Sequence, residues 1–230
     1  VVSTGVEALQ DFTAKYDMQT GQRLWARVQS PPVTRDVRPT AIEVDRLGFV
    51  VVAGSWTTAR GLDAVVLRYR ASDGVPNWVV SRDIGNQDQF VTAMALSPDG
   101  QIFTAGTTTD PVSLLHRAWV AKMSPSGGQT LWQTLGPAYG VSARPSGIAL
   151  AANGDVHVVG TTTPDRSSSQ LFTTRLLGTT GAVSAGLLMP GAAIQPTGPS
   201  VRLLANGRLQ IGATMIGAKG DSAATVMQFR

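Results

Sequence analysis

Arg38–Trp56 has the sequence RPTAIEVDRLGFVVVAGSW, and three later stretches of the chain are variants of it. These are FVTAMALSPDGQIFTAGTT from Phe90, RPSGIALAANGDVHVVGTT from Arg144 and TGPSVRLLANGRLQIGATM from Thr197. A second repeated line, for which DAVVLRYRASDGVPNW at 63–78 is the clearest copy, lies between them. A segment that recurs about every 53 residues indicates a repeat architecture in which each copy forms one structural unit.

Each repeat divides into four short predicted strands, which we letter A to D. Strand B is rich in β-branched residues, and the turns on either side contain the Gly, Asp and Asn that tight turns favour. Strand A is predicted at Thr40–Val44, Thr92–Leu96, Ser146–Leu150 and Ser200–Leu204. Recurring glycines at the end of strand B predict a bulge or the close approach of a neighbouring strand; they are Gly54, Gly106, Gly160 and Gly212.

A tryptophan recurs in strand D, four residues after the glycine of the turn before it. Trp25, Trp78 and Trp132 occupy this position, and Ala185 replaces them in the last copy. An aromatic ring of this size is well suited to wedge between neighbouring units. We therefore expect the last unit to pack less tightly than the others.

A four-stranded sheet cannot bury both of its faces alone, but sheets arranged radially cover one another. The sequence therefore predicts an all-β protein, a β-propeller of four-stranded antiparallel blades, as a single domain over residues 1–230. About five blades are visible: four repeats plus incomplete blades at the two termini. A ring of five blades and a longer propeller both remain open, and a β-solenoid would need a shorter repeat.

Composition narrows the function classes. The 230 residues include no cysteine, and 19 Lys and Arg against 15 Asp and Glu give a thin positive excess without a basic block. We predict no nucleic-acid partner. No apolar run is long enough for a membrane span, and a removed signal peptide or a truncated N-terminus would both fit a chain that begins with Val1.

The repeat resembles a known bacterial family. The line D-A-x-V-x-(K/R)-Y, followed by G-x-x-x-W, A-(I/M)-x-(V/L)-x-x-x-G and V-x-V-x-G, is similar to the SBBP repeats, which are named for seven-bladed propellers. The similarity covers the chain from about Asp11 onward. It implies an exported or cell-surface protein in which the repeat serves as a scaffold. The fourth copy departs most from the pattern, with Leu176 in place of Tyr and Ala185 in place of Trp.

Few residues stand out as candidates for chemistry. Asp36 and Asp88 hold equivalent positions before strand A, so they are candidate calcium or sugar contacts or, in the simpler interpretation, acceptors of backbone N–H groups. Glu43 and Arg202 share a position within strand A and are candidate channel residues that could pair. His116 is predicted in a loop between strands B and C, and His157 in strand B as a packed ring. We predict no catalytic, cofactor or metal site.

These observations favour a non-enzymatic structural or protein-interaction propeller of an exported or surface assembly, with other protein subunits as partners. The alternative is a carbohydrate-binding propeller that uses the rim loops Thr57–Leu62, Thr107–Leu115 and Thr161–Ser169. In that alternative Trp56 and Trp119, which lie outside the repeated tryptophan position, would stack on sugars. A propeller enzyme is the third hypothesis.

Overall fold

Strands form every regular element in the part of the chain that the structure describes. The computed structural model describes residues 2–7, 10–30, 36–85, 87–110, 112–136, 142–163, 169–189, 193–194, 198–216 and 222–229. The first ten strands are β1 Val2–Glu7, β2 Gln10–Tyr16, β3 Arg23–Gln29, β4 Val37–Val44, β5 Phe49–Thr58, β6 Gly61–Arg70, β7 Pro76–Arg82, β8 Asp88–Leu96, β9 Ile102–Thr109 and β10 His116–Met123. The others are β11 Thr130–Leu135, β12 Ser142–Leu150, β13 Val156–Thr163, β14 Gln170–Leu176, β15 Val183–Met189, β16 Ala193–Ile194, β17 Ser200–Leu203, β18 Leu209–Ile216 and β19 Ser222–Phe229.

The strands form five antiparallel sheets that follow one another along the chain. The second, third and fourth sheets each contain four strands in chain order, β4 to β7, β8 to β11 and β12 to β15. Among the described residues the first sheet consists of β1 to β3, with β1 at its inner edge, and the fifth has β19 as its outermost strand. In the fifth sheet β16 and β17 both pair with β18, so that its inner strand is split. The predicted β-propeller with about five visible blades is confirmed.

Apolar clusters lie between successive sheets. Val52 of the second sheet packs with the first sheet, whereas Val51 beside it packs with the third. Alternate residues of a strand point to opposite faces, so each central strand supplies two interfaces. Phe103 and Val158 share the next cluster, and Val159 and Ile211 the last. This mutual coverage explains why single sheets with two apolar faces are stable here.

The recurring tryptophan is the wedge that the repeat predicts. The Trp25 indole N–H donates to the Ala71 carbonyl oxygen of the next sheet at 3.0 Å. Trp78 and Trp132 make the equivalent bonds, at 2.9 and 3.0 Å. Each ring also lies against the turn glycine of the next sheet, where a Cβ would meet ring atoms. Those glycines are Gly74, Gly128 and Gly181, with φ angles of +69°, +68° and +73°.

The glycine that ends strand B has a different reason to recur. In the second, third and fourth sheets the inner strand has a register shift opposite this glycine. The inner-strand carbonyl comes so close that a Cβ on the glycine would collide with it. A bulge and a close approach are therefore both present at Gly54, Gly106 and Gly160, whereas Gly212 faces no register shift and its nearest neighbour is the Ser200 hydroxyl.

The last interface is the looser one, as expected. Ala185 lies on the exposed outer strand β15, where the three earlier sheets have their tryptophan. Most of β19 is also exposed, including Val226 at 67%. Among the described residues no helix is long and apolar enough to cross a membrane.

Candidate functional site

Hydroxyl groups line the inner strands at one end of the propeller. Thr40, Thr92 and Ser146 are the extra residues of the three inner-strand bulges. The Thr40 hydroxyl donates to the Val91 carbonyl oxygen at 3.0 Å, and the Ser146 hydroxyl to that of Pro199 at 2.5 Å. These bonds join neighbouring inner strands. Bulges often occur next to binding sites, because they re-aim a side chain that a regular ladder would place elsewhere.

A histidine and an arginine meet beside these hydroxyls. His116 begins β10, so it is a strand residue and the loop prediction is wrong. Its Nε2 accepts a hydrogen bond from the Arg144 guanidinium, which places the ring proton on Nδ1. Nδ1 then donates to the Thr109 hydroxyl oxygen at 3.0 Å. Burial, and secondly the Arg144 charge, lower the pKa of His116. The imidazole is therefore neutral near pH 7 and fixes the direction of the guanidinium.

These groups open into a cavity of about 800 Å³ at the end of the propeller where the inner strands begin. We call it the mouth cavity. Its wall includes Thr40, Thr92 and Ser146, His116, Ser142 and Arg144, and 161–163 at the end of β13, together with the apolar Val91, Leu114, Leu115 and Pro145. The cavity therefore combines several hydroxyls from three sheets with one cationic group, an arrangement suited to a polyhydroxylated ligand.

A larger cavity, of about 1220 Å³, lies at the opposite end, among the turns that join strands A and B. Its wall includes Leu203, Leu209 and Phe229 of the fifth sheet and Ala185 of the fourth. This space is explained by the missing tryptophan and by the exposed outer face of the fifth sheet. Asp99, His157 and Arg175 also line this space, so polar groups lie at both ends. We place the candidate site at the smaller mouth cavity, where hydroxyls of three sheets surround one arginine.

Asp36 and Asp88 act within the propeller wall. The Asp88 carboxylate accepts the Leu62 N–H at 2.8 Å, which is the simpler role considered for it. Asp36 accepts a hydrogen bond from Arg38 Nε at 2.7 Å. In the fourth sheet Ser142 takes the equivalent position, and its Oγ accepts the His116 N–H at 3.1 Å. Two of the three residues thus tie an inner strand to the start of strand C in the preceding sheet.

Glu43 and Arg202 do not pair with each other. Glu43 accepts the Leu96 N–H of the next inner strand at 3.2 Å, and burial raises the pKa of its carboxyl. Arg202 donates to Gln210 Oε1 of its own sheet at 2.6 Å. The proposed pairing is wrong because each residue finds a nearer partner, and neither residue lines the mouth cavity.

Trp56 and Trp119 are not available as sugar platforms. Trp56 is 4% exposed between the first and second sheets, and Trp119 is 1% exposed between the second and third. Their assignment as rim contacts is wrong, because β5 and β10 extend far enough to carry both rings into the interfaces. Beside Trp56 lies Asp11, which is fully buried; burial raises its pKa to about 6, against the hydrogen bonds that Thr4 and Thr13 donate to it.

His157 lies in β13 at the position of Val51 and Phe103, but it is only half-buried and lines the larger cavity, so it is not the fully packed ring that the sequence predicted. Burial first and Arg175 second lower the pKa of its imidazole. The rim loop Thr57–Leu62 is described and forms the end of β5 and the start of β6. Residue 111 of the second loop and 164–168 of the third lie outside the described residues.

Comparisons with known proteins show the fold. No protein-family model matches the chain, and no curated protein matches it. Three solved structures are similar. An α-L-arabinofuranosidase mutant from Fusarium graminearum has a TM-score of 0.60 at 12% identity, over 84% of this chain and 61% of its own. An endo-arabinase from Bacteroides thetaiotaomicron has a TM-score of 0.53 at 8% identity, over 100% of this chain and 89% of its own. The β-propeller domain of the trilobed protease from Pyrococcus furiosus has a TM-score of 0.50 at 8% identity, over 84% of this chain and 55% of its own.

These comparisons correct one prediction. The repeat, the lack of a catalytic constellation in the sequence and the family resemblance predicted that the chain is not an enzyme. Most of the similar solved structures are of enzymes, and the arabinofuranosidase and the endo-arabinase are two of them. The prediction of a non-enzyme is therefore contradicted. The SBBP resemblance itself is not confirmed by a family model, and only the β-propeller that it implied is shown.

The residues that build the mouth cavity were largely missed from the sequence. Arg144 was noted only as the start of a repeat, and Thr40, Thr92 and Ser146 only as small polar residues of strand A. One signal was present, because a hydroxyl residue recurs at this position in all four copies, the fourth being Ser200. A polar residue that recurs on an inner strand is a better guide to the channel than a tryptophan outside the repeat.

Proposed function

We propose that this chain is a carbohydrate-binding propeller and that the sugar occupies the mouth cavity. The observation that carries the proposal is the convergence of inner-strand hydroxyls with His116 and Arg144 around one cavity. Sugars offer hydroxyls that both donate and accept, and Ser, Thr, His and Arg side chains supply the complementary groups. The glycan-acting neighbours support this alternative better than the structural role that the sequence favoured first.

The wider context of the site belongs to the same proposal. We infer that residues 1–230 belong to one propeller domain, and that the protein is exported or displayed at the cell surface, as the repeat resemblance implies. An extracellular glycan would then be the natural ligand. Fractionation of the source cells tests the location, and a protein confined to the cytoplasm would contradict it.

Isothermal titration calorimetry with a panel of neutral and acidic oligosaccharides tests the binding. Thr163 lines the cavity at the end of β13, so Thr163→Trp should obstruct it and abolish the heat of binding. The matched control is Thr130→Trp, which puts the same ring at an exposed position on the outer strand β11. Binding that survives Thr163→Trp, or is lost equally in the control, would refute the mouth cavity as the site. The same incubations should be assayed for new reducing ends.

A further inference from the structure

We propose that the sugar recognised at the mouth cavity carries a carboxylate, and that the Arg144 guanidinium pairs with it. This inference rests on the proposed function and adds the chemical class of the ligand. It comes from a difference between two equivalent arginines of the propeller, Arg38 in the second sheet and Arg144 in the fourth.

The two arginines have different partners two residues earlier in the chain. The second sheet has Asp36 before Arg38, and their side chains form an ion pair with Arg38 Nη2 2.6 Å from Asp36 Oδ2. In the fourth sheet Ser142 stands where the acid would be, and Arg144 lines the cavity. The described part of the protein therefore lacks a carboxylate beside Arg144, and there the cavity leaves room for a ligand to provide one.

No carboxylate of the described residues balances the charge of Arg144. Among the described residues five arginines lie within 4.0 Å of an aspartate, and Arg144 is not one of them. Its side-chain partner is the neutral His116 imidazole, which accepts one N–H and brings no negative charge. A guanidinium keeps several donors in a rigid fork, a shape that matches a carboxylate. Hydroxyls on the same wall would hold the rest of the sugar.

The third sheet indicates a substitution that would balance the Arg144 charge without disturbing the sheets. Asp88 occupies the position of Ser142 in the third sheet, and its carboxylate accepts the backbone N–H of Leu62. Ser142 accepts the equivalent N–H, that of His116. An aspartate at 142 would keep this bond, as Asp88 does, and would also bring a negative charge to Arg144, as Asp36 does for Arg38.

The experiment compares D-glucuronate with D-glucose, which differ only in the carboxylate, by NMR titration of the intact protein. Wild type should bind glucuronate at least about tenfold more tightly, as expected for a charge-assisted hydrogen-bonded pair. Ser142→Asp and Arg144→Gln should each reduce glucuronate binding to the level of glucose. Asp36→Asn should leave the preference unchanged, because Arg38 does not line the cavity.

The outcomes separate the inference from the function on which it rests. Equal binding of glucose and glucuronate to wild type would overturn the proposal that the ligand carries a carboxylate. It would leave the proposal of carbohydrate binding intact. Equal binding of glucose 6-sulfate and glucuronate also overturns it, because any anion would then suffice. A preference that persists in folded Ser142→Asp and Arg144→Gln excludes Arg144 as its source. If no sugar of the wider panel binds, both proposals fail.

Discussion

Three of the four interfaces between successive sheets are closed by a tryptophan, and the fourth is not. At the first interface Trp25 is 7% exposed, bonds to the next sheet through its indole N–H and rests on Gly74. At the fourth, Ala185 occupies the same register position and a large cavity lies beside it. The comparison shows that this repeat encodes contacts between sheets, and that an open space appears where the repeated residue is replaced.

The largest effect should come from removing the wedge at a closed interface. Trp25→Ala should lower the free energy of unfolding by about 3–5 kcal/mol, the usual cost of deleting a buried aromatic side chain. Urea denaturation followed by circular dichroism measures it. Trp25→Phe keeps one aromatic ring but loses the hydrogen bond and part of the buried volume, so its cost should be smaller, about 1–3 kcal/mol. A cost below 1 kcal/mol for Trp25→Ala would show that the ring is not the wedge.

A buried carboxyl at the same interface should give the next largest effect. Asp11 is fully buried and its folded pKa, about 6, lies above the unfolded value of 3.8. Ionised Asp11 therefore destabilises the fold above about pH 6, by roughly 3 kcal/mol, and this cost disappears as pH falls below about 4. Asp11→Asn should stabilise the protein at neutral pH by a comparable amount and have little effect in acid.

The control for Asp11 is Asp17, which is exposed. The N–H groups of Thr20 and Gln19 lower the pKa of Asp17. Its stabilising contribution is therefore present at neutral pH and lost as pH falls through the lowered pKa. Asp17→Asn should destabilise at neutral pH, the opposite sign. Thermal unfolding across pH would contradict this account if both variants moved stability in the same direction.

Alanine variants of two glycines distinguish the cost of backbone strain from the cost of crowding the tryptophan ring. Gly74 and Gly21 have nearly the same φ, +69° and +71°, but only Gly74 has a tryptophan ring where a Cβ would be. Both alanine variants should lose about 1–2 kcal/mol from the left-handed conformation. Gly74→Ala should lose a further 1–3 kcal/mol, roughly, from overpacking against Trp25. Equal losses in urea denaturation would mean that the ring makes no tight contact.

The smallest effect is expected where the wedge is already absent. Ala185→Trp places the ring on an exposed strand, so the free energy of unfolding should change by no more than about 0.5 kcal/mol. The same denaturation assay measures it. A gain of several kcal/mol would show that the missing ring alone keeps the fourth interface open.

The repeat predicted the architecture because it records contacts that recur. Strand count, the inter-sheet role of Trp25 and its equivalents, and the bulge opposite Gly54 and two of its equivalents all follow from residues that return at fixed spacing. The mouth cavity could not be predicted in this way, because the contact between His116 and Arg144 that defines it occurs only once. His116 and Arg144 are 28 residues apart in sequence and meet only where the third and fourth sheets adjoin.

The misassignment of Trp56 has a related cause. Strand B was predicted to end at Gly54, whereas β5 continues to Thr58. Trp56 is therefore still within the sheet, and its side chain points into an interface. Strand ends depend on pairing across the sheet, which one sequence does not display. The repeat also says little about the mouth cavity, because the repeated residues form the interfaces between sheets whereas the cavity lies at one end of the propeller.

The most direct measurement is a crystal structure of the protein with an acidic oligosaccharide bound. The account predicts a sugar in the mouth cavity, with its carboxylate on Arg144 and its hydroxyls near Ser142 and Ser146. A sugar bound instead at the opposite end, beside His157 and Ala185, would contradict it.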